Sequence, residues 1–185
     1  MQFIDLQLIK NEKKYFFNKL LGVLLFRENY KEKKGLNSTP ELVNKNHKLV
    51  LIPYLINSCN KKIEIKKIPY LAKVYAKLIV FTAKYSFYLA CILTKIPLIK
   101  FSSSQFAVEI FNKIYSDPIQ QRTLCLSRTI FVIATSKTFK NNGTAFIGVF
   151  LPSRKMHAWV IESGCNPDSA DEIWLSYQPV VAIIK

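Results

Sequence analysis

The stretch DPIQQRTLCLSRTIFVIATSKTFKNNGTAFIGVFLPSRKMHAWVI, residues 117–161, decides the fold. Asp117 followed by Pro118 is a helix-start signal, a side-chain cap before a residue whose missing N–H costs nothing there, with a start shifted toward Thr123 as the alternative. The helix should run through CLSRTIFVIATSKTF and stop at Asn141-Asn142-Gly143. Beyond it, Ala145–Leu151 reads as a buried strand, Pro152–Lys155 as a turn, and Met156–Ile161 as a second strand with His157, Trp159 and Ile161 on one face. A tight turn at Ser163-Gly164 extends this into a meander, and the terminal SYQPVVAIIK supplies a last strand. Upstream, Gln105–Tyr115 is a further helix ending before Asp117-Pro118. Helices followed by antiparallel strands give an α+β class.

The first part of the chain differs in charge and pattern. Of the net charge of +15, residues 1–100 carry +13 (19 Lys+Arg, 6 Asp+Glu) and residues 101–185 only +2 (8 and 6). The 23 lysines against 4 arginines, beside many Ile and Asn residues, fit either an anionic partner or an AT-rich coding sequence. Gln2–Leu8 alternates, Tyr15–Arg27 reads as a helix, and Gly35–Lys48 is a polar linker. Leu49–Ile56 and Ile63-Glu64-Ile65 read as short strands or pieces of helix. Pro69–Leu98 is the most hydrophobic segment, but lysines divide it into runs too short for a span of about 20 residues. As one helix it puts Lys73, Lys77, Lys84 and Lys95 on a single stripe and buries the rest. The chain divides into a basic, mostly helical region over 1–104 and a core over 105–185. Its opening residues are the reverse of a secretory signal, which points to a cytoplasmic protein.

Five sparse glycines exclude a glycine-rich phosphate loop, and Cys59, Cys91, Cys125 and Cys165 form no CxxC pair, which argues against a zinc site or a disulfide scaffold. No cofactor is expected. Cys125, early in a helix, sits where unpaired backbone N–H groups favour a thiolate. His157, on a strand beside Trp159, is the candidate base, a nucleophile–base pairing in which helix faces sheet. His47, the only other histidine, lies in the polar linker. A tight Ser163-Gly164 turn puts His157 opposite Ala170 and makes Asp168 its diagonal neighbour on the same face, so Asp168 is the first candidate to orient the imidazole. Asp171 takes its place if the register slips by one, and Glu172, or no acid at all, remains open. Arg128, one turn after Cys125, is expected to pair with an acid such as Glu162 or to contact substrate. Trp159 should pack on the Cys125 helix, and Cys165 should be inert.

The pieces Cys125-Leu126-Ser127-Arg128, Phe146-Ile147-Gly148-Val149, His157-Ala158-Trp159-Val160 and Tyr177-Gln178-Pro179, with 32 residues from Cys125 to His157, resemble the transglutaminase-like core of the leader peptidases of lasso-peptide biosynthesis. The resemblance covers residues 122–180. It implies a papain/transglutaminase-like cysteine peptidase that removes the leader from a ribosomally synthesised precursor peptide, alongside an ATP-dependent macrolactam synthetase and a leader-recognition protein. It also implies Cys125 as nucleophile and His157 as base. The acid is less well matched, because Gly164-Cys165-Asn166-Pro167-Asp168-Ser169 stands where the family has an apolar pair before the acid. Residues 1–104 would then be helical support or a degenerate leader-binding element. Two other readings remain: a basic adaptor for nucleic acid or a membrane surface, and an acyltransferase or transglutaminase on the same Cys-His core. The low arginine count and the lack of interleaved aromatic and basic residues argue against nucleic acid.

Overall fold

The computed structural model describes residues 2–5, 8–10, 13–18, 23–27, 57–58, 63–150, 153, 155–163, 165–168 and 177–184. The linker 35–48 with His47, residues 49–56, Asp171 and Glu172 lie outside the described residues. In chain order the strands are β1 (Gln2–Asp5), β2 (Leu8–Lys10), β3 (Lys13–Asn18), β4 (Val23–Arg27), β5 (Asn57–Ser58), β6 (Gly143–Phe150), β7 (Lys155–Glu162), β8 (Cys165–Asn166) and β9 (Gln178–Ile184). The helices are α1 (Tyr70–Tyr85), α2 (Phe87–Leu93), α3 (Ser104–Ile114), α4 (Pro118–Thr123), α5 (Cys125–Thr135) and α6 (Phe139–Asn142). This is the mixed, antiparallel-rich α+β arrangement expected.

The main sheet runs β1-β9-β6-β7-β8-β5, all antiparallel except the β8–β5 edge. β6, β7 and β8 form the expected meander, but β9 crosses back to β6 and is flanked by β1 from the other end of the chain. Glu162 pairs with Cys165 across the tight turn, and Ser163 takes the positive φ of 51° that such two-residue turns require. This is the register anticipated from Ser163-Gly164. Tyr15–Arg27, expected as a helix, is instead the β3–β4 pair, matched from Lys14↔Arg27 to Asn18↔Val23 with β2 beside β3. Apolar runs this short carry no period that separates strand from helix.

Two helices also depart from expectation. The segment 69–98 is broken at Ser86, whose backbone is extended (φ −158°, ψ 118°) and whose hydroxyl accepts from the Leu89 N–H at 3.4 Å, capping α2. α2 folds back on α1, so the Tyr75 hydroxyl reaches the Leu93 carbonyl at 2.6 Å. Lys95 therefore leaves the stripe of Lys73, Lys77 and Lys84. The helix begun at Asp117, which caps it through the Ile119 N–H at 2.9 Å, is interrupted at Leu124 (φ −96°, ψ 15°). α5 starts afresh at Cys125 and ends at Thr135, short of the expected stop.

α5 is the axle of the core. Every α5 residue except Leu126 is buried, as expected of a helix apolar nearly all round. Phe131 touches Tyr75 of α1 (6.2 Å between ring centroids), Phe101 (6.1 Å) and Phe111 of α3 (5.4 Å), so a single apolar core spans residue 104. Losing such a ring costs about 3–5 kcal/mol. Lys100 donates to the Ala134 carbonyl at 2.5 Å, placing a cation at the negative C-terminal end of α5. No helix among the described residues is long and apolar enough to cross a membrane.

Candidate active site

The break at Leu124 makes Cys125 the first residue of α5, where backbone N–H groups lack partners within the helix. α5 packs against β7, and there the Cys125 thiol, 6% exposed, is hydrogen-bonded to His157. Burial pushes the thiol up. The His157 hydrogen bond and charge, the Ala158 backbone N–H and the Arg128 charge outweigh it, so Cys125 lies below the ordinary thiol value. Helix start, imidazole and strand N–H thus converge on one sulfur.

His157 is itself buried and held between rings. Trp159 stacks along the strand at 6.0 Å and 15°, and Tyr177, just before β9, approaches at 5.1 Å. Trp159 in turn stacks on its cross-strand partner Phe146 at 5.7 Å. The cross-strand partner of His157 is Gly148, next to a register shift between β6 and β9. A Cβ there would lie 2.7 Å from the Trp159 ring and 2.6 Å from the Gln178 carbonyl oxygen. Only glycine lets the indole lie over β6 and wall the imidazole.

Asp168 is buried close by, and its carboxylate meets the Arg128 guanidinium at 2.6 Å. Arg128 also donates to the Asn112 Oδ1 on α3 at 3.3 Å. The arginine therefore ties α3, α5 and the segment after β8 together beneath the Cys125 thiol. The expected Glu162 partner is used elsewhere, its carboxylate accepting the Ser104 N–H at the start of α3 (3.1 Å). β8 ends at Asn166, and the Asp168 N–H donates to the Asn166 Oδ1 at 2.9 Å, so Asp168 follows the strand in a turn and lines a cavity with Trp159. Glu109 on α3 completes the cluster. Burial, then the charge of Asp168, raises its carboxyl above the usual range. Val108, Arg128, Thr129, Val132, Trp159, Val160 and Asn166–Asp168 line a cavity of about 10 Å³, room for one water. On β7 it is Ala158 and Val160 that join the apolar cluster with α5, whereas Trp159 stacks on Phe146 and His157, so the expected packing of Trp159 on the Cys125 helix is not found.

Cys125, His157, Arg128 and Asp168 are brought together. Cys165 is half-buried in β8, and Cys91 is buried in α2. Asn112, Glu109 and Tyr177 had no assigned role in the sequence. Tyr177 stood in a quoted motif, but Asn112 and Glu109 reach the site only through the packing of α3 on α5, which no local pattern encodes. Among the described residues no group of His, Cys, Asp or Glu is arranged to hold a metal ion. Comparison with protein-family models, curated proteins and solved structures found no match to this chain.

Proposed function

We propose that the protein is a cysteine peptidase with a papain/transglutaminase-like core that removes the leader from a ribosomally synthesised precursor peptide, in the manner of lasso-peptide leader peptidases. The observation that carries this reading is the buried Cys125 thiol, hydrogen-bonded to His157 at the start of α5 and lowered despite burial. A buried cysteine without such a partner is an inert hydrophobe.

Cys125 Sγ attacks the scissile carbonyl carbon while His157 holds the thiol proton. The tetrahedral oxyanion is met by backbone N–H groups at the start of α5. His157 then gives its proton to the leaving amine, and the C–N bond breaks to leave a thioester on Cys125. Water, losing a proton to His157, hydrolyses that thioester and returns the free thiol. Asp168 steadies the imidazolium, with Arg128 fixing the carboxylate. The partners in this reading are the precursor's leader region, an ATP-dependent macrolactam synthetase and a leader-recognition protein, and the site is cytoplasmic. Incubating the purified protein with a lasso-type precursor and those partners should release the leader, seen by mass spectrometry. Cys125→Ala should release none, and release at the parent rate by that variant would refute the assignment. An amine-capped rather than hydrolysed product would identify an acyltransferase on the same residues.

A further inference from the structure

The α1–α2 hairpin has an outer face that its lysines alone do not explain. α1 buries Ala72, Tyr75, Ala76 and Ile79 against the core, yet Tyr70, Phe81 and Tyr85 are 78%, 62% and 67% exposed. Val74 and Leu78 are exposed beside them, and α2 adds Tyr88, Leu89 and Ile92. At about 100° per residue, Tyr70, Val74, Leu78, Phe81 and Tyr85 fill a sector of roughly 80° pointing away from the core. Lys73, Lys77 and Lys84, all exposed, occupy the adjoining sector of about 40°. From residue 66 to 108 the chain holds seven lysines and no acidic residue.

We propose that this face docks the protein on an anionic lipid surface, with α1 lying in the plane of the headgroups. A helix with one apolar stripe facing outward, a lysine stripe along its edge and tyrosines among the apolar residues is built for the interface, where rings reach the acyl boundary and lysines extend to phosphate oxygens. At 16 residues, about 24 Å, α1 matches a helix lying on the surface rather than crossing it. The charge selects among occupants. A second copy of the chain would bring two lysine stripes together, in a region already carrying +13 over residues 1–100. Nucleic acid would use the lysines but leave the apolar sector without a role.

The test is vesicle co-sedimentation of the full chain, with phosphatidylcholine alone and with phosphatidylglycerol mixed in, over a salt series. Binding should require phosphatidylglycerol and weaken with salt. Lys73→Gln, Lys77→Gln and Lys84→Gln together should lower partitioning about a hundredfold, since each lysine near such a surface contributes about fivefold. Phe81→Ser with Tyr85→Ser should also release the protein, with an unchanged circular dichroism spectrum because both side chains are exposed. Three outcomes overturn the proposal: no binding by the parent, binding that survives Phe81→Ser with Tyr85→Ser, or a dimer in sedimentation that those substitutions abolish.

Discussion

Cys91 and Cys125 are buried to the same degree, 7% and 6% exposed, and each lies on a helix of one shared core, yet their thiols move in opposite directions. Burial pushes Cys91 up to about 12. At Cys125 the same penalty is outweighed by an imidazole, a strand N–H and a guanidinium. Desolvation is common to both sites, so reactivity is set by what the fold places opposite the sulfur. For Cys125 that is β7, whose His157 meets the first turn of α5. At Cys91, on α2, burial outweighs what lowers the thiol.

The sharpest break of this comparison is exchange of the two thiols' roles. Cys125→Ala should abolish leader release, whereas Cys91→Ala should leave turnover unchanged and cost about 1 kcal/mol of stability, read by urea denaturation. Alkylation sharpens it further. Near pH 7 a thiol at about 12 is ionised in about one molecule in a hundred thousand, so iodoacetamide should label Cys125 and spare Cys91 in the folded protein. His157→Ala removes the two leading contributions that lower Cys125, so the pH midpoint of labelling should move upward. An unmoved midpoint would mean that His157 does not activate the thiol.

Asp168 and Arg128 separate chemistry from packing. Asp168→Asn should reduce kcat by about a thousandfold with KM little changed, if its charge stabilises the His157 imidazolium. Asp171→Asn should have a small effect, and a large one would show that the acid is Asp171. Arg128→Met strands the buried Asp168 carboxylate and should destabilise the protein by about 3–5 kcal/mol. Combining Arg128→Met with Asp168→Leu should recover most of that stability, because no uncompensated charge remains. Failure to recover would assign the loss to α3–α5 packing through Asn112 rather than to the ion pair.

The legible parts of the molecule were those with local grammar. β6 and β7 are legible as apolar runs bounded by turn residues, and the Ser163-Gly164 turn gives the Glu162↔Cys165 register. The meeting of Cys125 with His157 followed from a helix packing on a strand. What was missed depends on distant partners. β3 and β4 are apolar runs of a few residues whose identity is decided by pairing. The return of β9 to β6, and of β1 to β9, joins residues far apart in sequence. On α1 the lysine stripe was read correctly, but periodicity alone does not say which apolar sector the core takes, so Tyr70, Phe81 and Tyr85 were expected inside and lie outside.

The smallest expected effect lies at Glu109, and it asks whether the polar cluster beneath Cys125 is balanced. Glu109 lies near Asp168, which is paired with the Arg128 guanidinium, and burial followed by Asp168 raises the Glu109 carboxyl. A carboxyl raised in the folded state holds its proton more tightly there than in the unfolded chain, so its contribution favours folding at low pH. That contribution is lost as pH rises through the folded value. Glu109→Gln removes the ionisable group while keeping its shape, and should therefore raise the melting temperature slightly at pH 7 and leave it unchanged or lower at pH 4. Leader release should be unaffected at both, since Glu109 touches the site only through Asp168. A melting temperature that falls at pH 7 would mean that the ionised Glu109 shares Arg128 favourably, and the guanidinium would then be the centre of a triad of charges rather than the partner of Asp168 alone.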